Sequence, residues 1–185
     1  ERLLWDFGPD LYKREVAAYE LSAALDLHLI PETTIRLDAP LGPGSLQRFV
    51  DADFEQHYFS IVDDTTCHPL LREMAGLDLL LNNADRKSGH VLIDSSGRIW
   101  GIDNGLSFHS QPKLRTVIWD FAGERLPDSV LEAAVSLTDR APPRVAGLLA
   151  EDEVEALCRR ARAVCKSKRF PDPRDDYRSY PWPLV

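Results

Sequence analysis

The sequence predicts an α+β fold in which a small sheet is followed by a mostly helical body. Two pairs of short strand-like segments, each pair separated by turn residues, predict hairpins. Longer segments with apolar residues three and four positions apart predict helices. The chain has 185 residues, 44% of them hydrophobic, which is enough for one domain with a sizeable core. We therefore expect a single domain, residues 1–185.

A helix and a hairpin come first. Apolar residues recur at helical spacing across residues 12–25, which predicts a helix, and Pro31 prevents any later helix from continuing. Residues 33–37 are mostly β-branched and residues 45–50 alternate in polarity, with a Pro- and Gly-rich turn between them. These two segments are expected to pair as antiparallel strands.

A strongly apolar helix and a second hairpin occupy the middle of the chain. Leucines and Met74 form a wide apolar stripe over residues 69–81, which is typical of a buried central helix. Two short apolar segments, residues 91–94 and 98–102, flank a Ser-Ser-Gly turn. They predict a small antiparallel hairpin.

Helices are predicted in the next part of the chain, up to residue 166. We expect a helix over residues 113–121 and a second one opening at Ser129, where Ser129 and Glu132 fit a capping box. Residues 152–166 have the pattern of an amphipathic helix. The Pro-rich and charged tail is expected to be extended.

Composition excludes several classes of function. The net charge of −8 argues against broad binding to nucleic acid or to an acidic membrane surface. No apolar run approaches the roughly 20 residues that span a bilayer, so no transmembrane segment is expected. Cys67, Cys158 and Cys165 form no CxxC pair, which favours a reducing, cytoplasmic setting.

Two aspartate motifs carry the functional signal. Asp85 follows the central helix in Asn-Ala-Asp-Arg, and Asp103 follows the last strand of the second hairpin in Asp-Asn-Gly. Either motif alone is typical of a helix end or a turn. In this order, with a hairpin between them, they indicate two carboxylates on either side of a transferring phosphate, one orienting the acceptor and one binding magnesium.

These motifs resemble the phosphatidylinositol 3-/4-kinase superfamily, and the second one is similar to that of type II phosphatidylinositol 4-kinases. The whole chain is still more similar to an uncharacterised actinobacterial group of that superfamily. Besides the aspartate motifs, the resemblance rests on residues 4–7, 14–19, 44–47, 113–121 and 181–185.

The resemblance implies a protein-kinase-like fold: a mostly helical C-terminal lobe with a small remnant of the N-terminal lobe sheet. In this division, residues 1–50 form the partial N-terminal lobe and hinge. Residues 51–170 form the helical C-terminal lobe, and residues 171–185 form the extended tail.

The resemblance also assigns roles around the two aspartates. Asp85 matches the catalytic-loop aspartate, the base or acceptor-orienting group, and Arg86 next to it in the motif is expected to be catalytic as well. Lys87 is placed to neutralise phosphate charge. Asp103 matches the aspartate that binds magnesium, or manganese in its place.

Further positions correspond to nucleotide binding. Glu15 lies where a regulatory helix supplies a glutamate to a strand lysine. Gln47, Phe49 and Val50 belong to the hinge that contacts adenine. ATP is the implied nucleotide, and the acceptor is a protein, a lipid or a metabolite.

The chain departs from the kinase pattern at two places. His90 stands where kinases carry a metal-binding asparagine; it either binds the metal, favouring manganese, or hydrogen-bonds Asp85 or Asp103, or is purely structural. No glycine-rich loop with a strand lysine precedes Glu15, and Lys13 is on the same predicted helix. We therefore expect either that this part of a kinase lies upstream or that the module is naturally truncated.

Two functions remain open, with a third less favoured. The first is an ATP-dependent phosphotransferase, and the second is a pseudokinase or nucleotide-binding scaffold. A metal-dependent hydrolase using the five histidines is the least favoured, because the sequence contains no HxH or HExxH spacing.

Overall fold

The computed structural model describes residues 7–173 and 177–185, without the side chain of Tyr177. The fold is α+β, as predicted. Short 3₁₀ turns at Thr65–Cys67, Ser88–His90 and Tyr177–Ser179 supplement the main elements. In chain order these are α1 (Leu11–Ala24), β1 (Thr33–Arg36), β2 (Gly44–Gln47), α2 (Tyr58–Ile61), α3 (His68–Leu81), β3 (Val91–Ile93), β4 (Ile99–Gly101), α4 (Asp128–Ser136), α5 (Pro143–Ala146) and α6 (Glu151–Ser167).

Both predicted hairpins are present as two-stranded antiparallel sheets. Thr33 of β1 lies opposite Gln47 of β2, and Val91 of β3 lies opposite Gly101 of β4. The strands are shorter than predicted, and β2 ends at Gln47 instead of continuing to residue 50. Helix α1 packs on the first hairpin, and β4 packs on α3.

Helix α3 is the centre of the hydrophobic core, as its sequence predicts. Leu71, Met74 and Leu77 on its apolar stripe are fully buried, and α4 and α6 pack against it. Gly76 permits the close approach of α4, because a Cβ there would lie 2.6 Å from a methyl carbon of Val130.

Helix α6 is amphipathic, as predicted, and buries Leu157, Ala161 and Val164. A buried ion pair links it to α1, since Arg14 of α1 donates to the carboxylate of Glu153. The three cysteines are free thiols, two of them buried and Cys165 partly so.

The predicted helix over residues 113–121 is wrong. This segment contains no helix, because its backbone groups pair with distant parts of the chain. The amide of Arg115 donates to the Asn83 carbonyl, and the Arg115 carbonyl accepts from the Arg86 amide. The amide of Thr116 donates to Ser179. Tertiary hydrogen bonds to the loop after α3 have overridden the local helical pattern.

The predicted capping box at Ser129 is also wrong. Helix α4 begins one residue earlier, at Asp128, with Pro127 in the cap position and no side-chain cap. The Ser129 hydroxyl instead donates to Glu73 of α3 at 2.6 Å.

Trp5 and Asp6 of the first matched segment lie outside the described residues. Within the described residues, no helix has the length and apolarity needed to cross a membrane.

Candidate functional site

The loop that carries Asp85 starts at Asn82, which ends α3 in the left-handed conformation with φ of 55°, one of the conformations that asparagine tolerates best. Its side-chain amide donates to the carbonyls of His109 and Gln111 at 2.9 and 2.8 Å. Its side-chain oxygen accepts from the Lys113 amide at 2.8 Å. Asn82 therefore joins this loop to the segment that follows Asp103.

Arg86 connects the two aspartate loops beneath the surface. Its side chain is fully buried and donates to both carboxylate oxygens of Asp78, at 2.9 and 2.8 Å. It also donates to the Asn104 side-chain oxygen at 2.6 Å and to the Ile102 carbonyl at 2.8 Å. A bidentate guanidinium–carboxylate pair is strong and directional, so one residue fixes the loop of Asp85 relative to that of Asp103.

Asn83 sets the local backbone at Asp85. Its side-chain amide donates to Asp78 at 3.1 Å, and its side-chain oxygen accepts from the Asp85 amide at 2.9 Å. The latter contact is an Asx turn. The Ala84 amide donates to the Leu106 carbonyl at 2.8 Å, which is a second direct link between the loops.

Asp85 itself is shielded. Its side chain is 22% exposed, and Lys87 places Nζ 3.3 Å from its Oδ2. Burial raises the pKa of Asp85 above its ordinary value, and the Lys87 charge opposes this shift. The negative charge of Asp103 raises the pKa of Asp85 further, which indicates that the two carboxylates share one electrostatic environment.

Asp103 is open to solvent. Its side chain is 64% exposed, and its φ of 55° lies in the sparsely populated left-handed region. Nε2 of His90 lies 3.3 Å from its Oδ2. Burial lowers the pKa of His90, as does the charge of Arg86. The Lys87 amide donates to the His90 Nδ1 at 3.5 Å, and Nε2 is the ring nitrogen that faces Asp103.

The metal-binding capacity of this pair is limited. No group of three or more His, Cys, Asp or Glu side chains among the described residues is arranged to hold a metal ion. A magnesium ion at a phosphoryl-transfer site takes one or two protein ligands and completes its shell with phosphate oxygens and water. Asp103 supplies an exposed oxygen ligand of the required type, and His90 lies beside it.

Glu15 of α1 reaches the Asp103 loop. Its Oε1 accepts from the Asn104 amide at 3.4 Å and from Gln47 at 3.5 Å. Burial raises the pKa of Glu15. Among the described residues no cation forms an ion pair with Glu15, and Lys13 pairs instead with Asp10 at 2.6 Å.

The residues assigned to the hinge lie in different environments. Gln47 contacts Glu15 and therefore belongs to the same cluster as Asn104. Val50 is buried against Trp100, whereas Phe49 is 73% exposed. Neither Phe49 nor Val50 hydrogen-bonds to either aspartate loop in the part of the chain that the structure describes.

Sequence reasoning missed Asp78 as the partner of Arg86. A signal was available, because Asp78 is a single acid within the apolar stripe of α3 and is fully buried. An acid at such a position requires a buried partner.

Comparison with known proteins identifies relatives by sequence. No protein-family model matches the chain. It is 37% identical to protein Rv2133c of Mycobacterium tuberculosis over 99% of its own length and 79% of that protein. The chain belongs to the family of this mycobacterial protein.

The structure resembles a kinase. Helicobacter pylori CtkA, a proinflammatory kinase, superimposes with a TM-score of 0.52 and 14% sequence identity, covering 88% of this chain and 82% of CtkA. At this identity the likeness concerns the fold alone. The chain therefore has a kinase-like fold with a reduced sheet.

Proposed function

We propose that this protein is an ATP-dependent phosphotransferase with Asp85 as the catalytic base and Asp103 as a metal ligand. The observation that carries the proposal is the buried Arg86, which lies next to Asp85 in the chain and is hydrogen-bonded to Asn104 and to the Ile102 carbonyl on either side of Asp103. Two carboxylates positioned in this way are what phosphoryl transfer requires of a protein.

Asp85 is suited to accept a proton. The acceptor hydroxyl would lose its proton to this carboxylate as its oxygen bonds to the γ-phosphorus, while the bond from that phosphorus to the ADP oxygen breaks. Burial raises the pKa of Asp85, which increases its strength as a base. Lys87, 3.3 Å from Asp85, is placed to neutralise phosphate charge.

Asp103 and His90 are the proposed metal ligands. An exposed carboxylate next to a neutral imidazole fits magnesium less well than two oxygen ligands do, and fits manganese better. The ion would neutralise the charge of the phosphates. Arg86 is fully buried, and all three of its guanidinium nitrogens donate hydrogen bonds within the protein. We therefore assign it a positioning role rather than contact with substrate.

The remaining sequence assignments fit a nucleotide held between a small N-terminal part and a helical C-terminal part. In this proposal, residues 1–50, 51–170 and 171–185 keep the roles of partial lobe with hinge, helical lobe and tail. Gln47, Phe49 and Val50 would line the adenine end. Glu15 would support the Asp103 loop through Asn104.

The acceptor is a hydroxyl group. The resemblance to phosphatidylinositol 3-/4-kinases supports an inositol lipid, while a protein or metabolite acceptor is equally compatible with the kinase-like fold.

Transfer of labelled γ-phosphate tests the proposal. The full-length protein is incubated with ATP and magnesium or manganese, with phosphatidylinositol vesicles, protein extract or metabolite pools as acceptors. We expect label transfer by the wild type, its loss in Asp85→Asn, and its retention in Asp139→Asn, which makes the same change at an exposed site on the chain. No transfer with any acceptor, together with weak nucleotide binding, would instead support a pseudokinase.

A further inference from the structure

A pocket lies between α6 and the segment that follows the Asp103 loop. Its volume is about 610 Å³, and it is bounded by the end of α3, the segment 110–115, α6 and parts of the tail. Neither Asp85 nor Asp103 is among its described lining residues. Its size suits a metabolite rather than a single inorganic ion.

The charged side chains among the described lining residues of this pocket are mostly basic, although the chain as a whole has a net charge of −8. Among its described side chains one is acidic, Asp172. Cations gathered in a concave site raise the local concentration of anions well above that expected from net charge. Arg159 also pairs with Glu155 at 3.4 Å, while Arg115 and Arg160 form no ion pair among the described residues. The cationic lining residues are Lys113, Arg115, Arg159, Arg160 and Arg178.

Arg160 is the most informative of these residues. Its Nε donates to the Leu80 carbonyl at 3.0 Å and its Nη1 to the His109 carbonyl at 3.3 Å. Its Nη2 is buried and has no hydrogen-bond partner among the described residues. The guanidinium is thus held by neutral carbonyls, with no carboxylate in ion-pair contact in the described chain. A positive charge fixed in this way favours an anion in the adjacent space.

The segment 110–115, which forms one wall of the pocket, also supports the loop that carries Asp85, the proposed catalytic loop. Arg115 lines the pocket, and its backbone pairs with Asn83 and Arg86 at 2.9 and 3.0 Å. Asn82 lines the pocket as well and binds the Lys113 amide. A ligand that orders this wall would therefore also order the loop of Asp85.

We propose that this pocket binds a small phosphate-bearing anion and that its binding stabilises the segment that supports the catalytic loop. Guanidinium groups match phosphate oxygens in a bidentate manner, and the apolar surfaces of Leu79, Leu114 and Trp119 would contact the rest of a metabolite. The proposal does not depend on the proposed phosphotransferase activity, since it concerns binding at another site.

Calorimetry with inorganic pyrophosphate tests the binding. The full-length protein is titrated without divalent cations at low and at physiological salt. We expect saturable binding that weakens with salt, and a loss of affinity of about tenfold or more in Arg115→Gln and in Arg159→Gln, because each removes a charge-assisted contact. Arg162→Gln is the matched control, since it makes the same change on α6 at a residue that does not line the pocket and instead donates to Thr138.

Three results would overturn the proposal. The first is no pyrophosphate binding by the wild type at millimolar concentration. The second is an equal loss of affinity in the Arg162→Gln control. The third is an equal loss of affinity in Lys87→Met, which would place the anion beside Asp85 instead.

Amide hydrogen exchange tests the effect on the loop. Pyrophosphate is expected to slow exchange at the amides of Arg86 and Arg115, whose hydrogen bonds join the pocket wall to the catalytic loop. Unchanged exchange at both amides under saturating pyrophosphate would contradict the stabilising role, even if binding is observed.

Discussion

The two aspartate loops share one anchor but expose their carboxylates differently. Asp85 is 22% exposed and has a lysine beside it, whereas Asp103 is 64% exposed and has a histidine beside it. Both loops are bonded to the same buried Arg86. A common framework therefore supplies two chemically distinct carboxylates, a shielded one suited to receiving a proton and an open one suited to binding a cation.

Replacing Arg86, which is bonded to both loops, should have the largest effect of the changes considered, and it should act on stability. Arg86→Met leaves the buried Asp78 carboxylate without its partner, so we expect a loss of about 3–5 kcal/mol in the free energy of unfolding, measured by urea denaturation. The double variant Asp78→Leu with Arg86→Met removes the unpaired charge and should recover part of this loss. Equal stabilities of wild type and Arg86→Met would show that Arg86 does not anchor the loops.

Asp85→Asn should affect the chemical step while leaving the framework intact. We expect the phosphotransfer rate to fall by about 10²–10⁴-fold, the usual range for loss of a general base, with ATP affinity nearly unchanged. Steady-state kinetics together with calorimetry separate the two quantities. A rate within a factor of two of the wild type would exclude Asp85 as the base.

The pH dependence of the rate should report the shielding of Asp85. Burial raises the pKa of Asp85, and the charge of Lys87 opposes this shift. Because the base acts only when it is deprotonated, activity should be lost as the pH falls through the raised pKa. Lys87→Met removes the charge that lowers the pKa and should move the acid limb to higher pH. Lys13→Met, which breaks an exposed pair with Asp10, should leave the limb in place; a shift common to both variants would contradict the assignment.

Replacing His90 should have the smallest effect. His90→Asn places an oxygen ligand next to Asp103, so the ratio of magnesium- to manganese-supported activity should rise, by up to about tenfold, while total activity changes little. Rate measurements with each metal check this expectation. An unchanged ratio would indicate that His90 does not contact the metal.

The sequence predicted the elements with strong patterns and missed those fixed by tertiary contacts. The apolar stripe of α3 and both hairpins could be predicted because local periodicity and turn residues determine them. The conformation of residues 113–121 could not be predicted, because the backbone of Arg115 pairs with Asn83 and Arg86. Local helix propensity does not report such long-range pairing. The same holds for Glu15, whose contact with Asn104 joins residues far apart in the chain.

The candidate site, too, was predictable only where its signals are local in the sequence. The order and spacing of the Asp85 and Asp103 motifs were readable from the sequence, and so was the unusual His90. The pairing of Arg86 with Asp78 was not predicted, although the single acid in an apolar helix was a usable signal. The exposure of each aspartate and the raised pKa of Asp85 depend on packing and required the structure.

The most direct test of the account is the metal dependence of ATP binding. Calorimetry on the full-length protein should show ATP affinity that rises on adding magnesium or manganese, and this gain should be absent in Asp103→Ala, whose fold is expected to be intact because the side chain is exposed. The same metal-dependent gain in the wild type and in Asp103→Ala would contradict the assignment of Asp103 as a metal ligand, and with it the proposed arrangement of the cleft.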